Sequence, residues 1–180
     1  MHAISDSDLR HLWRGCFRLA WCAAGAAAGL GLALWAVFPP QSPFLLASLG
    51  GSTIFLFGLT RAPAAQPRAL FGGHLGSAFI GIACWQCFGE SLWVYGLAAA
   101  LTLVFMLLTK TMHPPAGATP LIMVHVHAHF AALWNPVGAA GLLLALTAAA
   151  WSRLVPGMVR YPVAWFEKSP PSVWWGGWND

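Results

Sequence analysis

What this chain has least of is charge. Only 8% of its 180 residues are charged, and a single acidic side chain, Glu90, stands between the two tails. A soluble globular domain carries about 25% charged residues, so this sequence cannot cover itself with a surface that water accepts. The shortage of carboxylates also removes the paired acids on which much acid–base catalysis rests. No nucleophile elbow, zinc-protease helix or phosphate loop is present, and an enzyme is not expected. Cysteine is scarce too: Cys16, Cys22, Cys84 and Cys87 are the full set. The close pair Cys84 and Cys87 lies inside an apolar run and reads first as small buried hydrophobes, with a metal or redox pair as the alternative. No disulfide framework and no cofactor are implied.

What the chain has in abundance is long apolar runs. Hydrophobic residues make up 58% of it, and the mean hydropathy is +0.66. About 20 apolar residues span a bilayer as a helix, and six runs of roughly that kind emerge: 19–38, 44–59, 69–88, 92–108, 116–134 and 137–151. The net charge of +4 would suit nucleic acid in a soluble protein. Here the basic residues lie between apolar runs, so the expected partner is the lipid bilayer and not nucleic acid. The run after Arg10, Arg14 and Arg18 is longer than the hydrophobic region of a signal peptide and reads as a retained anchor. If all six runs cross, with the N-terminus inside, then every Lys and Arg falls on the cytoplasmic side: Arg10, Arg14, Arg18, Arg61, Arg68, Lys110, Arg153, Arg160 and Lys168. Were 116–134 to re-enter instead, the last three would fall outside. The charge bias favours six crossings, although it orients a protein better than it settles one weak segment.

The sequence thus reads as an all-α membrane protein of six transmembrane segments. Residues 1–18 form a basic cytoplasmic segment, 19–154 the membrane domain, and 155–180 a Trp-rich tail, interfacial or loose. Gly25 and Gly29 allow close helix contact, either within the monomer or at a dimer face of a homo-oligomer. Two stretches hint at two inverted three-helix repeats with two broken helices. Pro39-Pro40 with Ser42-Pro43 precedes the second run, and Pro114-Pro115 with Thr119-Pro120 opens the fifth; the spacers differ by two residues, and chance competes with a repeat. Gly/Pro-interrupted segments at matching places in two halves are the best sequence pointer to a transporter's binding site. Irregular backbone survives at membrane depth only where protein or a water-lined cavity satisfies it. Gly50, Gly51, Ser52 and Thr53 are read as one interruption, and 114–119 as the other. A helix starting at either would offer free N–H groups to an anion.

Ionisable residues at depth are the other signal. His74 should sit roughly 8 Å beyond Ala69 along the third helix, and His113 stands at the cytoplasmic entry of the fifth. The alternative for His74 is a neutral ring bonded to a backbone carbonyl. An unperturbed histidine titrates near pH 6.5, and a nearby anion favours the cation, so proton and anion binding at such a pair should help each other. His125, His127 and His129 alternate along the chain. On a helix His125 and His129 would share a face, a weak alternative as metal ligands with no carboxylate close in sequence.

Three motifs resemble the HPP family of integral membrane proteins. They are Thr109-Lys110-Thr111-Met112-His113-Pro114-Pro115-Ala116-Gly117-Ala118-Thr119, the stretch from Pro43 through Ser48 to Ser52 with Phe57-Gly58, and Gln66-Pro67-Arg68 leading to Gly72-Gly73-His74. The resemblance covers residues 43–151. It implies a transporter-like membrane protein, because plant and cyanobacterial members look like nitrite transporters, the plant ones in the chloroplast envelope. Some members carry CBS regulatory domains, and this chain shows none. The family is often described with four spanning helices, against the six that the charges favour here. It has no established catalytic residues to carry over.

The expected function is therefore a small transporter or channel for a small inorganic anion, nitrite first, in a bacterial inner membrane with both termini cytoplasmic. The candidate substrate-binding residues are Ser48, Gly50, Gly51, Ser52, Thr53, Arg68, His74, His113, Pro114, Pro115, Gly117 and Thr119, with Arg68 drawing anions to the mouth. The rivals are a divalent-metal transporter or sensor and a non-transporting membrane subunit. The topology has a direct check in a cysteine-free background. Cysteines placed at positions 90 and 135 should react with an impermeant reagent from outside, and one at 64 only from the cytoplasm. Labelling of position 135 from the cytoplasm alone would overturn the six-crossing count.

Overall fold

A polypeptide in hydrocarbon has to satisfy its own backbone, and helices do so within one segment. The computed structural model describes residues 6–37 and 43–172, and its regular elements there are all helical. Pro39 and Pro40 of the suspected repeat, and Trp174, Trp175 and Trp178 of the tail, lie outside the described residues. The helices are α1 (Asp6–Ala36), α2 (Pro43–Thr53), α3 (Pro67–Phe88), α4 (Leu92–Thr109), α5 (Thr119–His125) and α6 (Ala139–Trp151). Among the described residues three stretches are long and apolar enough to cross a membrane: Leu9–Ala36, Leu92–Thr109 and Phe130–Trp151, with Ala47–Gly58 a shorter apolar helix.

Helix α3 is the centre. It packs against α4, α5 and α6, and its buried residues, from Pro67 through His74 and Ser77 to Cys84, lie on several faces. A helix wrapped by protein can carry small and polar residues that a lipid-facing helix cannot. Helices α1 and α6 run antiparallel. The Trp151 indole N–H donates to the Trp21 carbonyl at 3.1 Å, and the two rings stack 4.5 Å apart. Gly25 and Gly29 face Phe57, Trp151 and Leu144, so this small-residue face is used inside the monomer.

The structure departs from the sequence reading in three places. The first is the Gly50–Gly51 interruption, which is not a break: α2 runs through to Thr53 and continues as a wide π turn, Ile54–Gly58. Thr53 bonds back to the Gly50 carbonyl at 2.7 Å, which keeps the helix closed there. The second is the fifth segment, expected to be interrupted at 114–119 and found to be composite along its whole length. Pro114–Ala118 forms a 3-10 turn, α5 lasts seven residues, and His127 takes a left-handed backbone (φ 51°). The chain then turns back along α3, where Phe130 meets Phe79 with ring centres 5.5 Å apart, and reaches α6 through a bend at extended Asn135. Prolines at 114, 115, 120 and 136 each remove a backbone donor, so one continuous helix could not form. The third departure is the tail. Within its described part, Gln66 Oε1 accepts from the N–H groups of Val163 (2.9 Å) and Ala164 (3.1 Å). Met112 N–H donates to the Ser169 carbonyl at 2.7 Å, and Tyr161 is buried. Residues 155–172 are strapped across the end of the bundle.

A close approach of helix to backbone gives a stability test. A Cβ added at Gly81 would lie 2.5 Å from the Pro120 carbonyl oxygen and 2.6 Å from its Cα, both backbone atoms that cannot swing away. Gly81→Ala should therefore destabilise the purified protein by about 1–3 kcal/mol. Gly96→Ala, where a Cβ meets nothing within 4 Å, should be neutral or slightly stabilising. Thermal unfolding in detergent compares the two.

Candidate functional site: a buried histidine and hydroxyl relay

Three elements converge on one point. Helix α2 supplies Ser48 and Ser52, which are four residues apart and so lie on one face. Helix α3 supplies His74. The chain entering α5 supplies His113 and Thr119. All five side chains are buried. The crossing is close because the contact positions are bare. A Cβ on Gly51 would come 3.0 Å from Pro115 Cβ, and one on Gly73 would come 2.9 Å from His113 Cβ.

The hydrogen bonds link these residues in a row. His113 Nδ1 lies 2.6 Å from the Ala64 carbonyl, and its Nε2 lies 2.8 Å from Ser52 Oγ. Ser52 Oγ is 2.9 Å from His74 Nε2, and His74 Nδ1 is 3.0 Å from Thr119 Oγ1. Ser48 Oγ lies 2.9 Å from Thr119 Oγ1 and donates to the Pro115 carbonyl at 3.0 Å. The two imidazole centres are 5.1 Å apart.

One end of this row sets its direction. A carbonyl can only accept, so the proton between His113 and Ala64 belongs to Nδ1. In a neutral ring Nε2 is then an acceptor, and the Ser52 hydroxyl donates to it. Ser52 in turn accepts from His74 Nε2–H, and His74 Nδ1 accepts from the Thr119 hydroxyl. With both rings neutral, no nitrogen in the row is left without a partner. An added proton is also accommodated by rotating a hydroxyl. With the charge on His74, Thr119 turns to donate to Ser48. With the charge on His113, Ser52 turns to donate to the Ser48 carbonyl, 3.1 Å away. Two charges on rings this close would repel, so the arrangement suits a single mobile proton.

The remaining expected site residues divide. Pro115 joins the row through its carbonyl and its contact with Gly51. Thr53 and Gly50 bond to each other on the helix. Pro114 is exposed, and Gly117 has no neighbour within 4 Å of an added Cβ. Arg68 is already engaged: Nη2 donates to the Thr109 carbonyl at 2.7 Å and Nε to the Lys110 carbonyl at 3.3 Å. It caps the end of α4, where orphan carbonyls favour a cation. Sequence reasoning missed the Ala64 carbonyl, because a backbone group leaves no residue-type signal. It also missed Gln66, fully buried, as the clasp of the tail, although Gln66 stands in the Gln66-Pro67-Arg68 motif.

The histidines at the far end need a correction. Helix α5 ends at His125, so His125 and His129 do not share a helical face. A carboxylate is present after all. Glu90, from the α3–α4 loop, lies 2.7 Å from His127 Nε2 and 3.5 Å from His125 Nδ1. The Tyr95 hydroxyl donates to it, and with His127 holds its carboxyl down at about 2. His127 stacks on Trp85 with ring centres 3.9 Å apart. Among the described residues no group of three or more His, Cys, Asp or Glu is arranged to hold a metal ion.

This geometry defines a helical membrane protein with a buried polar relay between its second, third and fifth segments. The chain belongs to the HPP family: the family's transmembrane region matches residues 14–162. It is similar to two transmembrane proteins of Dictyostelium discoideum. One is 35% identical over 134 residues, which is 70% of this chain and 43% of that protein. The other is 31% identical over 143 residues, 75% of this chain and 47% of that protein. The chain thus spans less than half the length of these relatives. No solved structure matches it.

The relay hinges on one hydroxyl. Ser52→Ala removes the group that pairs with both Nε2 atoms and leaves buried polar atoms unsatisfied. It should cost about 1–3 kcal/mol, read as a lowered unfolding midpoint in detergent. An unchanged midpoint would mean that the rings do not depend on Ser52.

Proposed function

We propose that this protein is a small secondary transporter or channel that moves a small inorganic anion together with a proton, nitrite being the first anion to test. The observation that carries this reading is the pair His74 and His113 bridged by Ser52 inside an apolar bundle. Ionisable side chains at membrane depth are costly and mark ion pathways and proton relays by default. A proton on either ring supplies the one positive charge that an anion crossing the bilayer needs. The hydroxyls of Ser48, Ser52 and Thr119 supply donors that can turn toward it. Cavities of about 800, 430 and 380 Å³ among the described residues are lined by other residues. On this reading the described conformation is closed, and transport requires the entry turn 114–118 to part from α2.

The reading includes six crossings with both ends cytoplasmic in a bacterial inner membrane. Arg61, Arg68 and Lys110 gather at the end where α3 begins and α4 finishes, and Glu90 stands at the other, which supports that orientation. A flux panel in proteoliposomes with nitrite, nitrate, formate, chloride and zinc tests the proposal. Uptake of one small anion should rise at mildly acidic pH. His74→Gln and His113→Gln should each lower it about fivefold or more and flatten the pH dependence, while His127→Gln should change little. Unchanged flux and pH profile in both the His74 and His113 variants would refute a role for the relay.

A further inference from the structure

Helix α1 is 31 residues long, about 46 Å, against a hydrocarbon core of roughly 30 Å. One end of it must project into the headgroup region. Residues 9–20 of this helix are exposed along their whole length, with Trp13 73% and Phe17 53% accessible. Two stripes run up this stretch at the four-residue spacing of one helical face. Trp13, Phe17 and Trp21 make an aromatic stripe, and Arg14 and Arg18, one position on, make a cationic one. Phe17 stacks on Trp21, and Trp21 on Trp151, so the aromatic wall is anchored to α6.

Both stripes line the same groove, a cavity of about 800 Å³. Its opposite wall is formed by Arg61, just after the π turn, and by residues 155–159 of the loop after α6. Among the described residues no acidic side chain lines it. Among the described residues the ion pairs found are those of Glu90 at the far end of the bundle. Three arginines therefore face one groove with no carboxylate among the described residues to neutralise them, beside a wall of apolar rings.

We propose that this groove binds an anionic phospholipid, with the headgroup phosphate between Arg14, Arg18 and Arg61 and acyl chain against Trp13, Phe17 and Trp21. The charge argues for an anion, since guanidinium groups match phosphate oxygens in pairs. The aromatic wall argues for an anion that carries hydrocarbon, because tryptophans beside a membrane segment sit at headgroup level with apolar rings toward the chains. Basic pockets between membrane helices on the cytoplasmic side bind anionic headgroups by the same physics. The groove lies among α1, the π turn and the end of α6, separate from the histidine relay.

The test is lipid retention by the full chain. Purified protein is equilibrated with equimolar phosphatidylcholine and phosphatidylglycerol, and the lipid that stays bound is identified by native mass spectrometry. Phosphatidylglycerol should be retained over phosphatidylcholine. Arg14→Gln, Arg18→Gln and Arg61→Gln should each weaken its retention by about fivefold, with unfolding in phosphatidylcholine alone unchanged. Lys168→Gln, equally cationic but outside the groove, should have no effect, and inorganic phosphate should not compete. Equal loss in the Lys168 variant would reduce the effect to diffuse surface attraction and overturn the site. Full competition by inorganic phosphate would make the ligand a soluble anion and overturn the lipid. A lipid-free dimer would assign the groove to a second copy of this chain.

Discussion

Ser52 is placed where two imidazole rings need a common partner, and the crossing of three segments depends on that need. Inside a bundle with little water, an unpaired ring nitrogen costs more than a well-made hydrogen bond contributes. One serine hydroxyl meets the requirement for His74 and His113 together, because it can donate once and accept twice. For that to happen α2, α3 and the entry to α5 must approach closely. Glycines at 51 and 73 leave room for Pro115 and His113 to do so. Steric permission and polar demand thus act at the same crossing, the first setting how near the segments come and the second setting their register.

The proline-rich entry 113–120 follows from the same constraint. A regular helix would bond its backbone internally and hold His113 at a helical position. Instead His113 is extended (φ −129°, ψ 97°), and the 3-10 turn begins just after it. The extended backbone lets its ring reach both Ala64 and Ser52, on either side. The irregular backbone is sheltered by α2 and α3, as the absence of water in hydrocarbon requires. The π turn after α2 shifts the end of that segment toward α1, where Phe57 packs on Gly25 and Gly29.

The two ends of the bundle are built differently. At one end cations predominate, with Arg68 spent on the carbonyls closing α4 and Arg14, Arg18 and Arg61 left facing a groove. At the other, Glu90 is held by Tyr95 and His127, and a left-handed turn at His127 brings that ring onto Trp85. The first arrangement leaves positive charge available to the surroundings. The second consumes its charge internally.

Some of this was legible in the amino-acid order alone. Long apolar runs and the scarcity of charge determined a helical membrane protein, because burial in lipid is a matter of composition. Ser48, Ser52, His74, His113 and Thr119 could be singled out, because a polar residue in an apolar run is conspicuous wherever the chain goes. What only the tertiary structure decided were the partnerships: that His74 and His113 share a serine, that Ala64 orients the relay, that Arg68 caps a helix, and that Glu90 meets His127. Those pairs are 22 to 61 residues apart on the chain for the relay serine alone. Helix continuity through Gly50 and Gly51 was likewise settled by neighbours, whereas the prolines at 114, 115, 120 and 136 already ruled out one continuous helix there. A glycine or proline states what the backbone is permitted to do, and the packing around it determines which of the permitted conformations is used.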